Sequence, residues 1–483
     1  MNIDDFRRWS HQAADWAADY HQGLRERPVR AQVAPGEIAA QIADTPPEQG
    51  EPFEAIFADF ERIIPPGMTH WQHPRFFAYF PSNAALESII AEQLAGAMSA
   101  QGMLWQTSPA LTELETRMTD WLRQAVGLPG GFQGVLQDTA SMATLCAMLC
   151  MRERALQGKG NRAGLAGGPR IRIYASEQTH SSIDKATWLS GIGQDNLVKI
   201  RSAPGHPWPV DVPAMAEAIR ADRAAGYRPA GIIGCVGGTS IGGCDDIAAL
   251  AALARAEDLY LHVDAAWAGS AMIVPEYRGL WAGIDQADSI VFNPHKWLGV
   301  PMECSAHFVR DPDLLVSTLA IQPEYLKTHG KDGLINYSEW SVTLGRRFRA
   351  LKLWFLLRHQ GLEGLRERMR NHVNWAQALA RRIADTPGFE LVTEPVLSLF
   401  SFRYAPVANG DLNALNLELL TRINDDGRTY LTQTKVGDKL AIRFQVGPFE
   451  TTEEDVGQAF EVVREIAGSL QPGTSYPGNQ NRV

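Results

Sequence analysis

Between residues 84 and 345, short β-branched runs alternate with helical segments, and this alternation constrains the fold more than any other feature of the chain. The expected strands are 134–137, 171–175, 197–200, 231–236, 259–263 and 289–292, with helices between most of them. Such an alternation predicts an α/β architecture, a mainly parallel sheet covered by helices on both faces. Sheets of this kind bind ligands beyond the carboxyl ends of their strands. Residues that follow each strand are therefore where chemistry is to be sought.

The flanking segments read differently. Near the N-terminus Phe6, Trp9, Ala13, Trp16 and Tyr20 recur at spacings of three and four, the mark of one apolar helix face. A single short helix cannot bury two tryptophans and a tyrosine, so this stripe must dock on its own subunit or on a partner chain. A second face, Phe53, Ile56, Phe57 and Phe60, ends at Pro65-Pro66-Gly67. Past residue 345 come two long helices, one with Phe348, Leu351 and Phe355, the next with Leu362, Leu365, Met369 and Val373. Strands are expected near 389–393, 396–403, 428–432 and 439–445, then a helix opened by a capping box from Thr451 to Glu454. The expected organisation is a helical segment over 1–83, a large domain over 84–345, a small α+β domain over 346–472 and a disordered tail over 473–483.

Composition excludes several functions. At 483 residues the chain exceeds a single core, and its formal charge of -10 gives no basic face for nucleic acid. The cysteines, Cys146, Cys150, Cys235, Cys244 and Cys304, sit in apolar segments without a CxxC pair. They read as reduced thiols of a cytoplasmic protein, with no metal site. The N-terminus lacks the apolar core of a signal peptide, and no apolar run is long enough to span a bilayer.

Five segments carry chemistry. In DSIVFNPHKWLGV a strand runs into Asn293, His295 and Lys296, and a lysine among apolar residues loses charge stabilisation and becomes a nucleophile toward aldehydes. Taken alone, such a lysine more often snorkels to the surface. In LYLHVDAAWAGSA a strand ends in Asp264, placed to pair with a protonated ring nitrogen, and the small residues after it leave room for a flat ring. In VLQDTASMATL, Thr139, Ala140 and Ser141 open a helix whose N–H groups, dipole and hydroxyls suit a phosphate, or serve as an ordinary cap. His180 in YASEQTHSSIDKA and Thr239 in CVGGTSIGGCDD also follow strands. A histidine there can stack on a ring or hydrogen-bond a carboxylate. Together the five supply an aldehyde trap, a pyridine-nitrogen partner, a phosphate cradle and a stacking imidazole. That set fits pyridoxal 5'-phosphate (PLP), whereas no GxGxxG follows a strand to suggest NAD.

NPHKW, HVDAAWAGSA, HSSIDKA, HPRFFAYFPSN, SPALTELE and LGRRFRALKLW together resemble the group II PLP-dependent decarboxylases, most closely the aromatic-L-amino-acid decarboxylases of bacteria. The resemblance covers nearly the whole chain. It implies a fold-type I PLP enzyme, an intertwined homodimer with a composite active site, and an aromatic L-amino acid as substrate. It implies that Lys296 binds PLP covalently, that Asp264 pairs with the ring nitrogen, and that His180 and Ala266 lie on the two faces of the ring. Thr139, Ala140, Ser141, Asn293 and His295 are implied to hold the phosphate, with Thr239 near the ring. Phe80 and Ser82 line the substrate side, Gln101 and Met103 reach the neighbouring subunit's site, and Arg346 stands at the edge. Tyr325 matches the tyrosine of a mobile catalytic loop, here read between Asp311 and Trp340. Asp138 and Met142 depart from the glycine and glutamate of many relatives around the phosphate serines. Gly345 matches a glycine that accompanies indole acceptance in plant relatives. Three alternatives share these motifs: an aromatic acetaldehyde synthase, against which the tyrosine at 325 argues, a decarboxylase of non-aromatic amino acids, and a PLP-binding protein without catalysis, against which the intact catalytic positions argue. The FFAYF run favours an aromatic pocket over the second of these, unless it simply packs a core.

Overall fold

A computed structural model describes residues 1–203, 208–321, 334–406 and 410–470. The chain packs into two units, one formed by Met1–Pro81 with Val373–Val483 and the other by Ser82–His372. The N-terminal helical segment thus groups with the C-terminal region. The break expected near 345 falls instead inside a long helix.

In the first unit, α1 (Ile3–Gln22) lies against α2 (Phe53–Ile63). Trp9 meets Phe53 and Phe57 at centroid distances of 4.8 and 5.4 Å, and Trp16 meets Phe60 at 4.8 Å. Most of the N-terminal stripe therefore docks on its own chain, while Ile3 and Phe6 stay exposed.

The second unit holds α3 (Leu86–Met98), α4 (Pro109–Val126), β1 (Gln133–Gln137), α5 (Ala140–Leu156), α6 (Lys159–Ala163), β2 (Ile171–Ser176), α7 (Ser182–Leu189) and β3 (Leu197–Ile200). It continues with α8 (Val212–Ala224), β4 (Arg228–Cys235), α9 (Ile247–Ala256), β5 (Tyr260–Asp264), β6 (Ser289–Phe292), β7 (Ser305–Val309) and α10 (Pro312–Leu319). The seven strands form one sheet in the order β1-β7-β6-β5-β4-β2-β3. From β6 through β3 the pairs are parallel, as the alternation predicts. The unexpected strand is β7, which inserts antiparallel between β1 and β6. Its buried polar positions, Ser305 and His307, hide the alternation that marks a strand. α10 and a short 3-10 turn at Tyr337–Trp340 lie within the stretch read as a loop from Asp311 to Trp340, so that stretch is partly regular. Tyr325 lies outside the described residues, as does the tail 473–483.

The helical span α11 (Arg349–Ala384) comprises the two expected helices, joined across a non-helical kink at Gly361. Beyond it β8 (Phe389–Val396), β9 (Leu399–Tyr404), α12 (Leu412–Asp426), β10 (Thr432–Val436), β11 (Lys439–Gln445) and α13 (Glu453–Ser469) complete the first unit. Its four strands form an antiparallel sheet, β10-β11-β9-β8. The strand expected over 428–432 starts only at Thr432, and the capping box is made by Thr452 with Asp455 rather than one residue earlier. Phe400, Phe402, Ile442 and Phe444 face Leu419, Ile423, Val456 and Phe460 in a continuous apolar core.

Candidate active site

The strand ends of the second unit bring the candidate residues together. β4 and β5 run side by side, with Cys235 opposite Asp264, and Asp264 in turn opposite Val291 of β6. Beyond β5 the chain turns through Ala266, and Asn293 donates its N–H to the Ala266 carbonyl at 2.8 Å. Ala266 packs with Ala140, Ala143 and Val291, so the end of β5, the end of β6 and the start of α5 share one bed of small side chains.

Asp264 is buried, and one of its carboxylate oxygens accepts the Ala266 N–H at 3.0 Å. Burial raises its pKa, opposed by Lys296, by the Ala266 N–H and by His180. Lys296 sits half-buried in the turn Pro294–Leu298; its N–H donates to the Asn293 carbonyl at 2.9 Å, and its carbonyl accepts from Asn83 Nδ2 at 2.8 Å. His180, in the turn between β2 and α7, is solvent-accessible as a residue, yet its ring is desolvated enough to lower its pKa; Asp264 opposes that shift and Lys296 adds to it. Its Nδ1 accepts the Ser182 N–H at 3.1 Å and lies 2.9 Å from the Ser182 hydroxyl. The neutral ring therefore carries its proton on Nε2. Asp264, Lys296 and His180 thus lie within electrostatic reach of one another.

An anion cradle lies beside them. Thr139 caps α5, accepting the Met142 N–H at 3.4 Å, and Asp138 Oδ1 accepts the Thr139 N–H at 2.5 Å. The first N–H groups of such a helix have no intrahelical acceptor, so they and the exposed Ser141 hydroxyl are available to an anion. His295 is buried and held at a pKa of about 3 by burial, with Lys296 adding to the effect. Its Nδ1 accepts the Cys304 N–H at 3.0 Å, which again leaves Nε2 as the donor. The Asn293 amide is buried with its Oδ1 unpartnered among the described residues. Buried polar atoms rarely stay unsatisfied, so this one points to a ligand or water. Thr239 stands exposed in the turn after β4. That turn needs glycine at Gly237, where φ is +82° and an added Cβ would lie 2.7 Å from Trp267 Nε1.

The remaining candidates are Ser82, Gln101, Met103, Arg346 and Phe80. Ser82 is half-buried at the start of the unit. Gln101 and Met103 are tied to other segments: Gln101 Oε1 accepts the Arg346 N–H at 2.8 Å, and the Met103 carbonyl accepts the Ser338 N–H at 3.2 Å. Gln101, Ser99, Gly345 and Phe348 line a cleft of about 450 Å³, and a Cβ on Gly345 would lie 3.2 Å from Gln101 Nε2. The Arg346 guanidinium, expected at the site's edge, turns inward to a buried ion pair with Glu115. Its charge is neutralised there rather than offered to a substrate. Phe80, in the other unit, is buried beneath the Arg443 guanidinium, 4.4 Å from its ring. Its neighbours Phe76 and Phe77 pack core, Phe77 stacking on Phe444 at 4.4 Å, so much of the FFAYF run serves packing. Ser182, Asn83 and Cys304 escaped the sequence reading. Only the serine, two positions after His180, carries a local signal, since the other two act through long-range contacts.

Three comparisons bear on this geometry. The family model described as "Pyridoxal-dependent decarboxylase conserved domain" matches residues 35–405. A tryptophan decarboxylase of Camptotheca acuminata is 38% identical over 97% of this chain and 96% of its own length. A phenylacetaldehyde synthase of Arabidopsis thaliana is 35% identical over 97% of each. Among solved structures, Oryza sativa TDC with PLP and tryptamine superposes with a TM-score of 0.93 at 35% identity, covering 97% of this chain and 99% of the other.

Proposed function

The chain belongs to the pyridoxal-dependent decarboxylase family, and from that premise we propose that it uses PLP to remove the α-carboxylate of an aromatic L-amino acid, releasing CO2 and the arylalkylamine. The observation that carries this reading is the grouping of Lys296, Asp264 and His180 beside an anion cradle on the strand ends of one sheet. The residues present fit PLP: a cradle of N–H groups and hydroxyls for the phosphate, the buried His295 with its Nε2–H as donor, a bed of small side chains and a buried carboxylate.

PLP, when bound, supplies a carbonyl carbon for an amine and a conjugated ring that accepts the electron pair left as CO2 departs. Lys296 is the amine that holds it covalently between turnovers. Asp264 pairs with the ring nitrogen and keeps it protonated, and the Ala266 N–H orients that carboxylate. Thr139, Ala140, Ser141, Asn293 and His295 hold the phosphate, with Thr239 near the ring and Ala266 against one face. His180 covers the other face, and its Nε2–H, with Ser82, holds the substrate carboxylate. Gln101 and Met103 contribute to the substrate wall of the neighbouring subunit's site. Tyr325 delivers the proton to substrate Cα, for a phenol with a pKa of about 10 keeps its proton at neutral pH. The glycine at 345 leaves room for an indole, so tryptophan and 5-hydroxytryptophan belong on the substrate panel with DOPA, tyrosine and phenylalanine.

The active form is a homodimer. Leu86, Ile90, Leu94 and Met98 recur every fourth residue along α3 and are 52, 52, 47 and 58% exposed, an apolar row that a second copy covers. The five free cysteines suit the reducing cytoplasm, and among the described residues no helix is long and apolar enough to cross a membrane.

One assay tests the reaction: CO2, amine, aldehyde and peroxide are measured together on the five substrates. Amine with stoichiometric CO2 is expected. Aldehyde with peroxide would establish the second reading, an acetaldehyde synthase, kept because one relative at 35% identity is a phenylacetaldehyde synthase. In Tyr325→Phe the CO2 should persist while, in air, part of the amine gives way to aldehyde and ammonia, with molecular oxygen reduced to peroxide. An unchanged amine yield would remove Tyr325 from the catalytic set.

A further inference from the structure

The strand that leads into the anion cradle is an edge strand. β1 has only β7 beside it, so every second residue turns its N–H and C=O outward with no strand to receive them. At Leu136 both outward groups are nevertheless satisfied. Its N–H donates to Glu115 Oε1 at 2.9 Å, and its carbonyl accepts from Arg346 Nη2 at 3.0 Å. The same Nη2 donates to the same Glu115 Oε1, closing a ring of three partners. The two side chains are 0 and 1% exposed, so the pair is sealed from water. A carboxylate from α4 and a guanidinium from the segment before α11 thus stand where a neighbouring strand would pair.

Two residues beyond Leu136 the cradle begins, with Asp138 holding Thr139 and Thr139 capping α5. Gln137, between them, is fixed by its Nε2 donating to the Trp340 carbonyl at 2.9 Å. The guanidinium is itself held. Nη1 donates to Ser341 Oγ at 3.3 Å, and the Tyr337 ring lies 5.3 Å beneath it. Tyr337 in turn shares a hydrogen bond of 3.0 Å with Thr116, the residue after Glu115. The backbone of Arg346 holds a further segment, since its N–H reaches Gln101 Oε1 at 2.8 Å and its carbonyl accepts the Gly102 N–H at 2.9 Å.

We propose that Glu115 and Arg346 are positioning residues for the phosphate cradle: their buried pair substitutes for the missing strand at the edge of β1 and fixes the direction in which the Asp138–Thr139 turn and the first N–H groups of α5 point. The inference rests on the reading that Thr139 to Ser141 hold a phosphate. Helix N–H groups bind an anion through direction as well as charge, so a small rotation of the turn weakens every one of these contacts together. An aldehyde without a phosphate makes none of them and is indifferent to the rotation.

The test compares PLP with pyridoxal, which lacks the phosphate. Full-length wild type, Arg346→Lys and the double variant Glu115→Gln/Arg346→Met are stripped of cofactor and titrated with each aldehyde, following visible absorbance, with thermal melts in parallel. Removing one member of a buried ion pair strands the other charge, whereas replacing both is commonly tolerated, so the double variant is the one expected to fold. Its PLP affinity should fall by about tenfold or more, the effect of one strong hydrogen bond, with pyridoxal affinity changed less than about twofold. Arg346→Lys, which keeps the charge but loses the fork, should fall between the double variant and wild type. Equal weakening for both aldehydes, or an unchanged preference for PLP in a folded variant, would overturn the positioning role. Wild type binding the two aldehydes equally would overturn the phosphate reading, and the positioning role with it.

Discussion

The two sheets of this protein place their buried polar groups differently. In the four-stranded sheet the apolar face is unbroken: Phe400, Phe402, Ile442 and Phe444 meet α12 and α13, and the polar Ser401, Arg443 and Gln445 alternate onto the other face. The seven-stranded sheet keeps Asp264, Asn293 and His295 buried at the ends of β5 and β6, and His307 buried within β7. Burying a polar atom without a partner costs about 1–3 kcal/mol. Both sheets carry that cost, at Asn293 and His307 in one and at Ser401 and Gln445 in the other. What sets the seven-stranded sheet apart is that Asp264, Asn293 and His295 converge at the ends of β5 and β6, where a parallel sheet binds its ligand.

This contrast is tested first by its largest expected effect. Lys296→Ala should lose the visible absorbance of bound cofactor and all amine production, while the apparent melting temperature without cofactor stays close to wild type. Residual turnover, or borohydride trapping of the cofactor on another lysine, would transfer the assignment elsewhere. Next, Asp264→Asn should keep PLP through the phosphate contacts but lose about 10²- to 10³-fold in kcat, the range seen when a charge-stabilising group is removed. Near-parental turnover by the loaded variant would break the claim that the buried carboxylate serves chemistry.

The four-stranded sheet should respond in the reverse sense. Phe444, 1% exposed and stacked between Phe77 and Phe400, should cost about 3–5 kcal/mol as Phe444→Ala, with kcat per folded molecule unchanged. A loss of kcat without loss of stability would show that this sheet also shapes the site. The smallest effect is in pH. Burial holds His262 and His295 at pKa values of about 3, and His307 at about 4. Below about pH 6.5 the unfolded chain takes up protons that the folded chain refuses until pH 3–4, so stability falls as pH is lowered through that window. Each histidine contributes up to about 1.4 kcal/mol per pH unit. Urea midpoints between pH 7.5 and 5 should therefore slope less steeply in His307→Leu than in wild type, and parallel slopes would refute the assignment.

The candidate site was legible because each piece is local. NPHKW, HVDAA and DTAS carry their chemistry within a few residues of a strand, and in parallel sheets strand ends converge. What was not legible depends on distance along the chain. Glu115 and Arg346 are 231 positions apart, and an arginine in LGRRFRALKLW looks the same whether it meets a substrate or a carboxylate. The FFAYF run was similarly ambiguous, because aromatic residues serve pockets and cores by the same apolar contact.

By itself the sequence determined the class of fold, six of the seven strands of the large sheet, and the residues that end them, since periodicity and strand-end chemistry are written in neighbouring positions. Tertiary structure alone decided that β7 runs antiparallel inside the sheet, that the N-terminal helices join the C-terminal region in one unit, and that Arg346 faces inward. Those outcomes rest on which surfaces and charges find each other after collapse. A buried strand with polar positions, a helix face that suits more than one neighbour and a charge that must be neutralised carry no mark of their partner in the local pattern.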